Sequence, residues 1–506
     1  MKYYITTPIY YVNDKPHIGH AYATFIADAF ARYHRLKGDD VFFLTGTDEN
    51  STKNVEAARE KGFADIQSYL DLQSEAWRAT WKELEITNDD FIRTTEERHK
   101  KGVEKFFQLV YDKGDIYQGT YQGLYCTGCE AFLRETDLIQ GLCPYHKNRP
   151  ELIEEKNYFF RASKYRDALL AHIEKNPDFV QPLARRNEIV NYIKDHFDDI
   201  SISREKVKWG IRLPIDEAQV IYVWFDALIN YLTGIGYGWD EEKFIRYWPA
   251  DVHIVGKDII KFHCALWPAM LLSADLPLPR HIFAHGFFTI EGQKVGKSLG
   301  NAIDPVQLCG EYGIDVVRYF LFREIPFGGD GDFSEARLRE RYESELAKGL
   351  GNFTSRVLTL AQKCPDMHCG TAKLPAEKKA ASAAADLRYA WEKGFDHAAL
   401  HESLTAIFEC ITWGDRFIDQ TKPWILLKED TASAVQTISI LLELLRQLSL
   451  YLYPFMPHTA GEIRTQLGLN GDRIPERGNA LLAWRAEPII SINKKDNLFP
   501  PLIPKA

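Results

Sequence analysis

Two short stretches of the chain hold residues that could do chemistry on a phosphate, and the first begins at His17. His17 and His20 flank Gly19, directly after the turn-forming run at 13–16. Apolar residues recur three and four apart from Ile18 to Tyr33, which predicts a helix. A helix start offers backbone N–H groups and a positive dipole end to an anion. Taken alone, the two histidines could also be a satisfied surface or core pair.

The second stretch carries Lys294, Gly296, Lys297 and Ser298. Two lysines and a serine on a glycine-bearing loop are suited to neutralising a polyphosphate. The loop is not a Walker A motif, because Gly292 and Gly296 have only three residues between them where that motif needs four. Without other support, this stretch would also fit a solvated turn.

A third cluster has the spacing of a metal site. Cys126 and Cys129 are followed after thirteen residues by Cys143 and His146. Two knuckles of this spacing bring three thiolates and an imidazole into one tetrahedron, as in a closed structural zinc site. Four protein ligands leave no open position, so the pattern predicts a role in folding. The alternative is a set of reduced cysteines without a metal.

The elements that would position the first stretch alternate between strand and helix. A short strand is expected at Tyr3–Ile5, ended by Thr6-Thr7-Pro8, and a buried strand at Asp40–Leu44. Asp48 follows the second strand, where open α/β sheets place ligand contacts, although it could instead be a helix N-cap. Helices over 65–85 and 96–113 complete half of a doubly wound sheet.

Downstream of the cysteines the expected order is helical, then mixed, then helical again. The segment 150–213 is charged and interpreted as helical, and strands are expected at Val220–Asp226, 251–258 and 281–286. A helix should cover 262–268. The remaining helices should lie over 343–362, 380–420 and 431–453. Their order and short connections predict an antiparallel helix bundle.

Composition narrows the class of protein. With 506 residues, 45% hydrophobic and 26% charged, the chain should be a soluble globular protein of two to four domains. Its most apolar later stretch, Thr437–Tyr453, carries Glu443 and Arg446, which predicts a core helix and no membrane association. The net charge of −9 argues against indiscriminate nucleic-acid binding. No signal segment or secreted cysteine pattern is seen, so a cytoplasmic location is expected.

These motifs together resemble a known family. His17-Ile18-Gly19-His20 with Lys294-Val295-Gly296-Lys297-Ser298 is similar to the paired signatures of class I aminoacyl-tRNA synthetases. Further stretches resemble the methionyl branch of that family, over nearly the whole chain: 7–13, 223–227, 283–287 and 325–333. The family usually has Met and Ser where this chain has Val295 and Gly296.

The resemblance implies an α/β fold, with a Rossmann-like doubly wound parallel sheet, a zinc-knuckle insertion and a following all-α anticodon-binding bundle. The implied divisions are two catalytic halves at 1–117 and 214–303, an insertion at 118–213, a stem-contact platform at 304–345, an anticodon-binding domain at 346–490 and a tail at 491–506 packing back on the core. The family's optional C-terminal dimerising domain is not seen, so a monomer is expected.

The implied activity is ATP-dependent formation of an aminoacyl adenylate, followed by transfer of the acyl group to the 3′ end of tRNA. His17, Gly19 and His20 would hold the ATP phosphates. Lys294, Lys297 and Ser298 would offset charge on the pyrophosphate, and Mg²⁺ would accompany the ATP. One structural Zn²⁺ would bind Cys126, Cys129, Cys143 and His146.

L-Methionine and methionine tRNA are the other implied partners. The family's amino-acid pocket corresponds to Ile9, Tyr11, Asp48, Trp224, Ala227, Tyr231 and His263, with Asp48 facing the substrate ammonium. Its anticodon contacts correspond to Asn352, Arg356 and Trp424. The alternatives are that Trp224 is core, and that Trp424 plugs the end of the bundle. The family usually has Pro and Phe where this chain has Leu228 and Leu266.

Two other functions stay open at the level of sequence. Sister enzymes for leucine, isoleucine and valine share both signatures, but the space between His20 and Lys294 is too short for their editing insertion as well as the second half-sheet. The cysteinyl relative places a cysteine near the first signature, and none occurs here before Cys126. The chain could also be a catalytically silent tRNA- or protein-binding relative, because of Val295 and Gly296.

Overall fold

The computed structural model describes residues 1–126, 131–133, 135–144, 147–294, 302–364, 375–470, 478–489 and 491–502. The chain forms two compact units. One contains Lys2–Ala27 and Phe42–His285, and the other contains Met1, Asp28–Val41 and Gly286–Ala506. Across the described residues, every helix is too short or too polar to cross a bilayer.

The first unit, which holds most of the predicted site, is a parallel sheet with helices and inserted smaller sheets. In chain order its strands are β1 (Lys2–Tyr11), β2 (Asp40–Asp48), β3 (Asp90–Arg93), β4 (Ile116–Cys126), β5 (Ala131–Leu133), β6 (Glu151–Phe160), β7 (Val180–Gln181), β8 (Ile200–Ser201), β9 (Ser203–Arg204), β10 (Arg212–Leu213), β11 (Asp216–Ile221), β12 (Val252–Gly256) and β13 (His281–His285). Helix α1 (Ile18–Lys37) belongs to this unit over 18–27 and to the other unit over 28–37. The other helices of this unit are α2 (Thr52–Glu60), α3 (Ile66–Glu83), α4 (Glu97–Asp112), α5 (Arg166–Lys175), α6 (Leu183–His196), α7 (Val223–Leu228), α8 (Asn230–Thr233), α9 (Glu241–Tyr247) and α10 (Trp267–Ser273).

The main sheet has the strand order β3-β2-β1-β12-β13-β7. Its recorded pairings, such as Ile5 with Val252 and Val252 with His281, are parallel. The chain runs outward from β1 to β2 and β3, and later returns on the other side of β1 to form β12. Strand order therefore reverses between β1 and β12, and the carboxyl ends of these strands border the crevice where open α/β sheets bind ligands.

The second unit is mainly helical. Its strands are β14 (Phe288–Ile290), β15 (Gln293–Lys294) and β16 (Gly331–Phe333), which form a small sheet in the order β15-β14-β16. Its helices are α11 (Pro305–Tyr312), α12 (Ile314–Glu324), α13 (Glu335–Arg341), α14 (Asn352–Gln362), α15 (Pro375–Asp396), α16 (Leu400–Thr421), α17 (Pro423–Glu429), α18 (Thr431–Leu452) and α19 (Pro457–Gln466). A π-helical segment, Tyr342–Gly351, leads into α14.

A buried side chain holds part of this helical unit together. The Arg318 guanidinium lies 2.7 Å from the Asp28 carboxylate and donates to the carbonyl oxygens of Pro454 and Phe455. Arg318 and Asp28 are both fully buried, and Asp28 also pairs with Arg32, so loss of Asp28 would remove a counter-ion that two guanidinium groups share. Near the end of the chain, Phe499 is buried against the Tyr342 ring.

Four predicted elements differ from the structure, three of them in the first unit. The first strand continues through Pro8 to Tyr11, and its recorded pairing with β12 lies at Ile5 and Thr6, where the missing proline N–H removes no bond. The run 220–226 is divided between β11 and α7, because a short apolar segment buried on nearly every side lacks a diagnostic period. Segment 150–213 includes the strand Glu151–Phe160 and four short strands as well as α5 and α6.

The predicted helix over 380–420 is two helices. It breaks at residues 397–399, where Ala398 has a positive φ of 55°. No glycine or proline marks this break in the sequence, so composition gave no signal for it.

Candidate active site

The predicted phosphate-binding stretch lies at the start of α1, after the end of β1. The His17 and His20 rings stack with centroids 3.7 Å apart, and the backbone N–H of His17 donates to His20 Nδ1 over 3.2 Å. A Cβ at Gly19 would lie 3.0 Å from His17 Cε1, so glycine allows this tight arrangement. No acidic side chain occurs in the first helical turn, which leaves the dipole end suited to an anion.

Aromatic side chains fix the orientation of His20. Its ring makes edge contacts with Tyr10 at 5.2 Å and with Trp77 at 5.0 Å, and Tyr10 stacks on Trp77. The Trp77 indole N–H donates to the Asp14 carbonyl, which ties helix α3 to the loop before His17. The histidine pair is therefore held from several elements, and it is more than an isolated surface feature.

Asp48 ends β2 and is 4% exposed. The alternative that it caps a helix is wrong, because the N-cap of α2 is Ser51, whose hydroxyl accepts from the Lys53 N–H. The Asp48 carboxylate instead accepts from the backbone N–H of Asn50 over 3.3 Å. The carboxylate thus lies at the carboxyl end of the strand next to β1.

Glu49, the next residue, is an anchor for this loop. Its buried carboxylate accepts two hydrogen bonds from the Arg93 guanidinium, at 2.7 and 3.1 Å. The hydroxyls of Thr47, Ser74 and Thr95 also donate to it. The Trp209 indole N–H donates to the Glu49 carbonyl, so both the side chain and the backbone of this residue are held.

Trp224 and Ala227 lie on α7, and Tyr231 follows on α8. The Trp224 ring stacks on Phe262 with centroids 3.9 Å apart and an interplanar angle of 4°, and it contacts the His263 ring edge-on. Within the described part of the chain, the buried Trp224 indole N–H has no hydrogen-bond acceptor. Trp224 is only partly buried, which does not favour the alternative that it is simply core.

His263 is buried and holds the Tyr231 hydroxyl. Its Nε2 lies 2.8 Å from the Tyr231 Oη, and its Nδ1 lies 3.0 Å from the Ile259 carbonyl oxygen. The carbonyl can only accept, so Nδ1 carries the proton and Nε2 accepts from the tyrosine. Burial lowers the pKa of His263 to about 4, which keeps the ring neutral at physiological pH.

A second buried histidine, which the sequence did not single out, supports the wall formed by Trp224, Tyr231 and His263. His253 on β12 contacts the Thr6 hydroxyl through Nδ1 at 2.7 Å and accepts from the Trp267 indole N–H through Nε2. Its ring lies 4.3 Å from the Tyr231 ring, and burial holds its pKa well below the ordinary value. A histidine within an apolar strand was the available signal.

The other two predicted pocket residues lie near the end of β1. Ile9 is partly buried and packs against the same hydrophobic core as Trp224. Tyr11 is partly buried, with the Lys53 ammonium 4.8 Å from its ring centroid. Residues of β1, β2, α7, α8 and the segment before α10 that were predicted for the pocket thus all lie in the first unit.

Sequence reasoning also missed groups at the carboxyl ends of β12 and β13. A Cβ at Gly256 would lie 2.5 Å from the Asp258 carboxylate and 3.8 Å from His285. The His285 ring contacts Tyr22 of α1 edge-on. A glycine and a carboxylate at this edge would suit the hydroxyls of a ribose.

The second signature lies largely outside the described residues. Lys294 ends β15, where its backbone pairs with Thr289. Lys297 and Ser298 fall outside the described residues, so their roles stay predictions.

The predicted zinc ligands are only partly described. Cys126 and Cys143 are buried, and both contact Asn148: the Cys126 thiol is 3.3 Å from its side-chain oxygen, and the Cys143 N–H donates to its carbonyl. Asn148 therefore connects the Cys126 side chain with the backbone of Cys143, and the zinc site stays a prediction. Cys129 and His146 lie outside the described residues, and among those described no group of three or more metal-binding side chains occurs.

The predicted anticodon contacts lie on α14 and α17. Asn352 is exposed, and Arg356 makes ion pairs with Asp415 at 2.5 Å and Asp419 at 2.6 Å. Trp424 follows Pro423 and is 44% exposed. Nearly half of the side chain lies open to solvent, which does not favour the alternative that Trp424 plugs the end of the bundle.

Two models of known protein families together match most of the chain. The family model described as "tRNA synthetases class I (M)" matches residues 3–149 and 135–358. That described as "Anticodon binding domain of methionyl tRNA ligase" matches residues 369–500. The chain belongs to the methionyl family of class I tRNA synthetases.

Relatives of this family extend the match. The methionine–tRNA ligase of Thermotoga maritima is 47% identical over 473 residues, covering 92% of this chain and 75% of the relative. That of Rickettsia conorii is 44% identical over 479 residues, covering 92% and 93%. A solved structure, Mycobacterium tuberculosis methionyl-tRNA synthetase in complex with methionyl-adenylate, is 39% identical with a TM-score of 0.94, covering 99% of this chain and 100% of that one.

Family membership confirms the resemblance and the fold class that the sequence predicted. The individual site residues, the metal and the domain boundaries stay predictions, because none of these comparisons assigns them. A sister synthetase for leucine, isoleucine or valine is not supported, since both family models are methionyl.

Proposed function

We propose that this chain activates L-methionine with ATP and transfers the methionyl group to the 3′ end of initiator and elongator methionine tRNA. The proposal is supported, in a member of the methionyl family, by the histidine pair at the start of α1, the buried Asp48 carboxylate at the end of β2 and the mutual contacts of Trp224, Tyr231 and His263. A phosphate-binding helix start and an apolar pocket with one buried carboxylate are what the activation of a zwitterionic, apolar amino acid requires.

In the proposed reaction the methionine carboxylate attacks the α-phosphorus of ATP, the bond to the bridging oxygen breaks, and pyrophosphate leaves. The protein supplies position and charge, and no nucleophilic side chain is needed. His17 and His20 would contact the phosphates. Lys297, assisted by Lys294, would offset charge on the departing pyrophosphate, and Mg²⁺ would be bound with the ATP.

The amino acid would be recognised at its two ends. Asp48 would pair with the ammonium group, and Trp224 and Tyr231 would enclose the side chain. Contacts between a thioether and ring edges are favourable by about 0.3–1.5 kcal/mol. Because Tyr231 donates its proton to His263, its hydroxyl oxygen can accept a hydrogen bond but does not offer one to the thioether.

The remaining proposals concern cofactor, assembly and location. We propose one structural Zn²⁺ on Cys126, Cys129, Cys143 and His146, supported by the knuckle spacing and by the burial of Cys126 and Cys143. We further propose a monomer acting in the cytoplasm, where ATP and tRNA are available. Light scattering during gel filtration checks the assembly.

Methionine-dependent ATP–pyrophosphate exchange tests the activity. Exchange with methionine, weak exchange with leucine and isoleucine, and charging of methionine tRNA are expected. A chain that binds tRNA but catalyses no exchange would instead be the silent relative that Val295 and Gly296 suggest.

A further inference from the structure

Asp226 is a fully buried carboxylate on α7, one residue from Ala227 and two from Trp224. Each of its oxygens accepts one hydrogen bond from a different element. His99 Nε2 on α4 lies 2.8 Å from Oδ1, and Asn50 Nδ2 lies 2.7 Å from Oδ2. A charged group with no exposed surface is retained only where its partners are well placed.

The histidine side of this cluster is rigid. His99 is itself fully buried, and its Nδ1 lies 2.8 Å from the Thr233 hydroxyl on α8. Gly102, one helical turn along α4, faces Thr233 so closely that a Cβ would lie 2.2 Å from its methyl group. Helices α4, α7 and α8 are therefore fixed to one another around Asp226.

The asparagine side leads to the predicted ammonium partner. The Asn50 backbone N–H donates to the Asp48 carboxylate, while the Asn50 side chain donates to Asp226. Asn50 thus connects the carboxylate of Asp226 with that of Asp48. Glu49, which lies between Asp48 and Asn50 in the chain, is held by Arg93.

We propose that Asp226 is a positioning residue for amino-acid activation, acting through Asn50. Asp226 sets the distance between the Asp48 carboxylate and helix α7, which carries Trp224 and Ala227. In the proposed site, Asp48 and these α7 residues contact opposite ends of the amino acid. The proposal rests on the proposed function, since it assigns a task within that site. It involves hydrogen-bond geometry and no proton transfer.

Asn50→Ala is the main test, because it removes the link and leaves Asp226 paired with His99. In methionine-dependent ATP–pyrophosphate exchange we expect KM for methionine to rise by about tenfold, as when a buried hydrogen bond is lost. The KM for ATP should change by less than about twofold, since ATP contacts do not depend on the link. Asn157→Ala is the matched control, because Asn157 is another buried asparagine whose side chain donates a hydrogen bond, to Ser201.

Asp226→Asn tests whether geometry or charge matters. His99 can move its proton to Nδ1, accept from the new amide through Nε2 and donate to Thr233, while the amide oxygen still accepts from Asn50. We therefore expect KM for methionine to remain within about threefold of the unmodified value, whereas Asp226→Ala should match Asn50→Ala.

The outcomes separate the two proposals. If the unmodified chain lacks exchange with methionine, the proposed function is wrong. If the unmodified chain is active but Asn50→Ala leaves KM for methionine unchanged, the positioning role is wrong. It is also wrong if Asn50→Ala changes the KM for methionine and the KM for ATP only as much as the control Asn157→Ala does. Should Asn50→Ala fold poorly, Asn50→Leu keeps the volume without the hydrogen bond and is read by the same criteria.

Discussion

At the scale of single residues, the buried imidazoles show how the site uses neutral polar groups. His253 and His263 lie among aromatic side chains, and each uses both ring nitrogens in hydrogen bonds. Burial without a counter-ion favours the uncharged ring, so neither histidine places a charge beside an apolar substrate. His263 was predicted through the family resemblance, whereas His253 could be placed in the site only from the pairing of β1 with β12.

The depressed pKa of His263 predicts a pH-dependent term in stability. The unfolded chain takes up this proton near pH 6.5, but the folded chain does so only near its pKa of about 4. The stabilisation is therefore complete above about pH 6.5 and is lost as the pH falls towards about 4. Between about pH 7 and about pH 5 this loss should be about 2 kcal/mol.

Urea unfolding of His263→Asn checks this term. The variant should lose about 2 kcal/mol less than the unmodified chain over that pH interval. His397→Asn, at an exposed histidine of α15's C-terminal connection, should follow the unmodified chain. Parallel pH profiles for all three proteins would contradict the prediction.

Lys297 carries the prediction about the transition state. If its ammonium acts on the departing pyrophosphate, Lys297→Ala should lower the activation rate by about 10²–10³, or about 2.7–4 kcal/mol, with a much smaller change in ATP affinity. Single-turnover adenylate formation and ATP titration measure the two effects separately. Lys378→Ala, at an exposed lysine of α15, is the control. Normal activation with weakened ATP binding would show that Lys297 serves ground-state binding only.

At the scale of elements, amphipathic pattern predicted helices and strands well where one face meets solvent. Helix α3 lies within the predicted range 65–85, and α4 lies within the predicted range 96–113. Pattern failed in the buried run 220–226, because α7 is covered on nearly every side and has no polar face. It also failed at Ala398, where packing imposes a helix break without a local signal.

Some residues of the candidate site could be predicted from local sequence patterns, and others could not. Local spacing identified His17 and His20, and strand-end logic identified Asp48. The Asp226 cluster could not be predicted, since His99 and Asn50 reach it over 127 and 176 residues of chain. Such contacts depend on how helices pack on the sheet, which no local pattern specifies.

The sheet that follows α4 carries the metal prediction. We expect about one equivalent of zinc in the purified chain, bound by Cys126, Cys129, Cys143 and His146. Cys126→Ser should reduce the zinc content and lower the melting temperature, because binding energy of a structural zinc is folding energy. Cys264→Ser, at a buried cysteine outside this motif, should retain the metal. Elemental analysis that finds well under half an equivalent in the unmodified chain would exclude the site.

At the scale of the whole molecule, charge limits how a tRNA can be recognised. The chain has a net charge of −9, so general attraction for phosphate is weak and specificity should come from particular bases. Sequence-specific RNA readers usually bind unstacked bases of loops. The family match over 369–500 places an anticodon-binding domain around the bundle that carries Trp424.

Trp424→Ala tests whether that exposed indole stacks on an anticodon base. A stacked base contributes about 1–3 kcal/mol, so the variant should charge methionine tRNA less efficiently by about five- to a hundredfold. Because Trp424 is 44% exposed, the melting temperature should be nearly unchanged, and so should the exchange reaction without tRNA. Tyr389→Ala removes another exposed aromatic residue of the same unit and should leave charging intact. Equal charging by the Trp424 variant and the unmodified chain would show that the base is read elsewhere, by Asn352 and Arg356 alone or by another surface.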